Sequence, residues 1–182
     1  MIYAFDGKIP QIHESAFVSE NAVIIGDVTL GPNCYVGPGA TIRSDFFPIR
    51  IGAECVIEDG VILHAGGRGN GMVIGDRVVI GHGAFVHSLR IGNNVGIGMG
   101  AVVSLNTELG EGCIVAEGAM VRQGQQVPAG VLVGGVPAKE LREVTEKDRI
   151  TWQKNTEWYM ALARKLKDPT CYYRVDVPTE KE

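Results

Sequence analysis

Three of the chain's four histidines, His64, His82 and His87, fall between residues 64 and 87. A neutral imidazole is the commonest metal ligand, and three of them with an open fourth position make a catalytic zinc site rather than a closed structural one. Three imidazoles also suit Fe2+ or Co2+, so Zn2+ is the first expectation and the other two are alternatives. Taken singly, each histidine reads as an ordinary surface or packed residue. Their place in a repeat that runs through most of the chain is what brings them together.

An aliphatic residue returns every six positions from Ile12 through Val18, Ile24, Leu30 and Val36 to Ile42. An interruption at Pro48, Ile49 and Arg50 follows, and the period resumes at Ile51, Ile57 and Leu63. A longer insertion, Ala65 to Val73, precedes Ile74, Ile80 and Val86; one deleted residue then leads to Ile91, and the period runs on to Val133. Four residues after most of these aliphatic positions stands a small or compact side chain, such as Ala22, Cys34, Ala40, Cys55, Ala84 or Cys113, with Gly, Asn or Asp commonly between as turns require. Period six fits neither a helix nor a simple alternating strand. It is the signature of an all-β fold, a left-handed parallel β-helix of hexapeptide repeats, in which three hexads make one triangular coil. About twenty hexads predict between six and seven coils, with Cys34 and Cys55 stacked inside the prism.

Three hexads per coil place Arg43, His64 and His87 on one face of successive coils, as an outward column spaced about 4.8 Å apart. Two imidazoles at that spacing can share an ion. His82 lies at the corner before that face and His87 at its far end, so His82 is poorly placed to join within its own chain. A neighbouring copy could supply it: cyclic trimeric packing of such prisms would bring the corner of one against the face of the next and put metal sites at subunit interfaces. Asp45, Glu58 and Asp59 are expected near the column in the coil above, either orienting ligands and solvent or as ordinary solvated charges. Arg43 is spaced to pair with Asp45. Both insertions and the deletion lie between residues 48 and 91, and the Gly-rich GGRGNG loop on a rigid scaffold reads as a site loop or as plain surface.

The repeat sets a domain boundary. Residues 1–137 form the β-helix domain, with Pro137 marking the exit, and residues 138–182 form a C-terminal helix and tail that pack on it. Thr145 is the expected N-cap, and Trp152, Asn155, Tyr159, Leu162 and Leu166 make one helical face that ends before Asp168-Pro169. Asn155 is the polar residue on that stripe, and a backbone contact explains it as well as a role in a site.

A net charge of −4 with scattered signs lacks the basic stripe that nucleic acid demands. No apolar run approaches a membrane span, and the opening MIYAFDGKIP does not read as a secretory signal, so a cytoplasmic location without membrane is expected. The four cysteines lack CxxC spacing and read as small buried apolar side chains.

With GKIPQIHESAFVSENAVIIGDV, IRSD, EDGVILH, IGHGAFVH, GGVPAK and a helix bearing N-x-x-x-Y, the chain resembles the gamma-class carbonic anhydrase family over nearly its whole length. The resemblance implies reversible hydration of carbon dioxide to bicarbonate in a homotrimer. It implies metal ligation by His64 and His87 of one subunit and His82 of the next, with Arg43, Asp45, Glu58, Asp59 and Asn155 around the ion. The chain departs from the family where Gln usually precedes the Asp that stands here as Asp59, the position Glu58 holds. It departs again at Phe46, where the founding branch has Glu, and after His64, where that branch's acidic proton-shuttling loop is missing. Two other functions fit the scaffold: a hexapeptide acyltransferase with one His as general base, and a metal-binding or assembly homologue without turnover.

Overall fold

The computed structural model describes residues 1–66 and 71–173. It is a left-handed β-helix of about seven turns followed by one α-helix. Every inward aliphatic of the repeat finds its counterpart one coil on, in parallel register. On the histidine face the stack runs Ile24, Ile42, Leu63, Val86, Val103, Val121. A second face, open to solvent, stacks Ile12, Leu30, Ile51, Ile74, Ile91, Leu109 and Val127. The third, which carries the helix, stacks Val18, Val36, Ile57, Ile80, Ile97, Val115 and Val133. With the small residues of the same hexads these form one continuous core along the prism. A strand this short has no stability alone, so each coil is held by its neighbours' hydrogen bonds and by the apolar area they bury together.

Corner residues obey the same period. Asn33, Glu54, Arg77 and Asn94, on one corner of successive coils, all adopt φ between 54 and 56 degrees. Cys34 and Cys55 are fully buried on consecutive coils, and Cys113 is buried too. Cys171 is not: it lies exposed in the turn after the helix, outside any repeat that would bury it.

Two boundaries differ from the sequence reading. Opposite Val28 stands Ile49, while Gly26 stands opposite Ser44, so the three extra residues precede Ile49 instead of including it. Ile49 is fully buried and occupies the compact position of its hexad, which pushes Asp45 and Phe46 outward. Nor does the chain leave the prism at Pro137. Residues Lys139–Glu143 turn back antiparallel on Val131–Gly134 and close the last coil's hydrogen-bonding edge.

The helix, Glu146–Leu166, begins at the expected Thr145, whose side chain accepts from the Asp148 N–H in a reciprocal capping box. It buries against Phe17, Tyr35, Val56 and Val79 of the third face, using Ala163 with partly buried Trp152, Tyr159, Met160 and Leu166. Thr156 is buried and Leu162 is 39% exposed, so the inward stripe lies one position off the expected one at Leu162. Gly96 lets the helix come close: a Cβ there would stand 2.5 Å from the Trp152 indole. Among the described residues no helix is long and apolar enough to cross a membrane.

Candidate functional site

The outward column forms as its register demands. Arg43 pairs with His64 across adjacent strands, and the His64 and His87 rings follow with centroids 4.7 Å apart and planes 31 degrees from parallel. Asp45, carried outward by the added residues, accepts from His64 Nε2 at 2.8 Å and lies 3.5 Å from Arg43 Nε. Arg43 Nη2 lies 3.3 Å from the same imidazole nitrogen. Burial works against the Asp45 charge, but the bonds from His64 and from its own backbone N–H hold the carboxyl below its usual value.

His87 is the more telling member. Its Nε2 is buried and has no hydrogen-bond partner among the described residues. Burial first, then the charges of His64 and Arg43, lowers its pKa, so the ring is neutral at pH 7 with a lone pair to offer. A buried polar atom without a partner is costly, and in a native site it calls for an explanation. A cation shared with His64 supplies one, and the donor set of neutral imidazole flanked by carboxylate and guanidinium fits that use.

His82 belongs to a second cluster. It sits on the corner between the helix face and the histidine face, where its backbone N–H donates to Glu58 Oε2 at 3.0 Å and its Nε2 lies 3.1 Å from the same oxygen. Asn155, reaching in from the helix, donates to Glu58 Oε1 at 3.4 Å. Tyr159 Oη lies 3.5 Å from His82 Nε2, and Asp59 Oδ2 lies 3.9 Å from His82 Nδ1. Glu58 is 5% exposed, whereas the His82 side chain is 45% exposed and faces outward. Tyr159 is held protonated by burial and by the Glu58 charge.

The site residues therefore divide into two half-sites. Arg43, Asp45, His64 and His87 share the face; Glu58, Asp59, His82 and Asn155 share the corner. This corrects the expectation that Glu58 and Asp59 stand beside the histidine column of their own chain: their turn points them to the corner, under the helix. Among the described residues no three His, Cys, Asp or Glu side chains converge closely enough to hold one ion. The His64 and His87 rings meet on the face of one chain, and His82 stands in the other cluster.

Sequence reading missed two contributors. Tyr159 was placed on the packing stripe and otherwise entered only through the N-x-x-x-Y motif, with no role of its own, although the four-residue step from Asn155 puts both on the same helical face. Gly66 was one glycine in a glycine-rich insertion, yet a Cβ on it would stand 2.6 Å from His87 Nε2. The clash would fall on the tip of a movable ring and not on backbone. Gly66→Ala should therefore turn His87 aside, leaving the fold and melting temperature nearly unchanged while uptake of added Co2+ falls at least tenfold. A cobalt titration with a thermal melt checks both halves; unchanged uptake would show that Gly66 only fills space.

Two family models match the repeat: the bacterial transferase hexapeptide of six repeats over residues 9–44, and the hexapeptide repeat of succinyl-transferase over 71–105 and 88–123. The carnitine operon protein CaiE of Salmonella agona is 38% identical over 162 residues, covering 88% of this chain and 81% of that protein. The chain belongs to the hexapeptide-repeat family of CaiE. Family membership extends to solved structures: a hexapeptide transferase family protein from Anaplasma phagocytophilum shares 36% identity with a TM-score of 0.84, over 90% of this chain and 96% of that one. A Bacillus cereus protein described as a candidate acetyltransferase shares 32% identity with a TM-score of 0.85, over 90% and 94% of the two chains. These relatives carry transferase and carnitine-operon descriptions, so they support the hexapeptide-repeat level of the resemblance and not the narrower carbonic anhydrase one.

Proposed function

We propose that this chain is a metal-dependent hydratase acting on carbon dioxide, with each site assembled from the face of one subunit and the corner of the next in a homotrimer. The observation that carries the reading is the buried, unpartnered Nε2 of His87 beside the His64 ring. His64 and His87 would hold the cation, Zn2+ first and Fe2+ or Co2+ as alternatives, with His82 supplied by the neighbouring copy, whose corner carries it 45% exposed. When bound, such an ion supplies Lewis acidity that makes water nucleophilic near neutral pH.

The remaining steps fall to the chain's own groups. Asp45 keeps Arg43 and His64 oriented, and Arg43 attracts the bicarbonate anion. Glu58, fixed by Asn155 and by the His82 N–H, takes the proton that the attacking water loses. Asp59 stays near His82 and favours its orientation. With no acidic shuttle loop after His64, proton export to bulk falls to buffer. Purified protein should therefore hold close to one divalent cation per chain, and hydration should rise with pH through about 7 and be stimulated by imidazole buffer. Protein that keeps and takes up no metal, or turnover unchanged in His64→Ala, would sink the reading; one cation per chain without turnover would leave the binding-protein alternative.

Acyl transfer is the second reading. The family descriptions support it better than they support hydration, and so does the His82–Glu58 contact, since an imidazole oriented by a buried carboxylate is what a general base for a hydroxyl or amine requires. His87→Ala separates the two readings. Metal-dependent hydration should fall by more than a hundredfold, whereas transfer that relies on His82 alone should persist.

A further inference from the structure

The helix sends Asn155 and Tyr159 from one flank to the His82 cluster, and under its other flank lies a cavity of about 690 Å³. The cavity runs along the corner of Asn33 and Asn94, so it opens away from the corner that carries His82. Its size suits one small molecule. Its inner wall is apolar: Ile114 and Val144 are each 7% exposed, yet neither joins the core of the prism or the smaller core under the helix. Trp152 and Met160, both partly buried, close the helix side. An apolar chain laid between these walls gives them the contacts that neither core supplies. The rim is charged. Arg149 Nη2 donates to the Val144 carbonyl at 3.4 Å and its Nε stands 4.0 Å from Glu146, which leaves Nη1 without an acceptor among the described residues. Arg164 lines the other end, about 22 Å further along the helix at 1.5 Å per residue, with no ion-pair partner among the described residues. Of the carboxylates on the rim, Glu157 is engaged by Gln153 Nε2 at 2.9 Å; Glu54 and Glu111 stand on the prism edge.

We propose that this cavity binds a fatty carboxylate, with its chain along Ile114, Trp152 and Met160 and its head on Arg149. A planar guanidinium takes a carboxylate through parallel hydrogen bonds, and one already anchored to a backbone carbonyl loses little freedom in doing so. The elongated shape, apolar along its length and cationic at its end, favours a linear amphiphile over a compact ion. The inference is independent of whether the histidines hold a metal, since no residue of either half-site lines the cavity.

The test titrates the full chain with octanoate, decanoate and dodecanoate below their micellar range, read by calorimetry and by Trp152 fluorescence after Trp158→Phe removes the exposed indole. One carboxylate should bind per chain, and affinity should rise about three- to fourfold with each added methylene, the scale of burying that group. Arg149→Gln should weaken dodecanoate binding at least tenfold, and Arg149→Lys should keep part of it. The exposed Arg149 side chain makes folding of either variant a minor concern, and a thermal melt confirms it. Met160→Trp, which fills the cavity from the helix side, should abolish binding. Affinity that does not depend on chain length, many carboxylates per chain, or binding unchanged in both Arg149→Gln and Met160→Trp overturns the inference. Dodecyltrimethylammonium binding more tightly than dodecanoate overturns it too, and assigns the head group to Glu54 and Glu111.

Discussion

Refolding a one-to-one mixture of His64→Ala and His82→Ala chains should restore about a quarter of the metal sites that each variant lacks alone. The two clusters give the reason. Arg43, Asp45, His64 and His87 are outward on a face, and His82 with Glu58 is on a corner, so in the proposed homotrimer a face from one chain would meet a corner from another. In a site between two chains the face must come from the His82→Ala parent and the corner from the His64→Ala parent. Random assembly meets each condition half the time, so roughly one site in four is whole. Each variant alone should hold no metal and show no turnover. Bound metal after joint unfolding and refolding is the measurement; recovery near zero in trimers shown to be mixed would put all three ligands in one chain.

Leu63→Ala should lower stability by about 2–5 kcal/mol and weaken metal binding as well. Leu63 is fully buried, stacks between Ile42 and Val86, and directly precedes His64. A cavity there unsettles the rung that spaces the two imidazoles. At this chain length the melting temperature should fall by roughly 5–15 °C. Leu109→Ala is the control, a residue equally buried on the open face, and should cost similar stability with metal affinity kept. If both variants bind metal like the wild type, the rung does not set the ligand spacing.

How much of this was legible in the sequence depends on what each residue answers to. The coil register follows from a period of six that only stacked neighbours satisfy, so Arg43, His64 and His87 could be placed in a column from counting alone. Counting places an outward residue along a face, but it does not say which way a corner carboxylate turns. Glu58 was therefore assigned to the wrong half-site. Its partner Asn155 lies 97 residues away on a helix whose docking depends on a close approach at Gly96. The added residues were misplaced by a few positions because Ile49 lies off the six-residue register, although its burial in a compact position keeps the coil intact. Cys171 misled for the opposite reason: cysteine favours burial on average, and nothing after the helix provides an interior.

The addition before Ile49 leaves the rungs beside it undisturbed. Ile42 still pairs with Leu63, and Ile51 with Ile74, as though no residues had been inserted. In this architecture the inward residues that hold the coil register and the outward segments between rungs answer to separate selection. Outward segments at single corners can lengthen, shorten or change character while the interior ladder keeps its alignment, so related chains can diverge in what they accept without first losing the ability to fold.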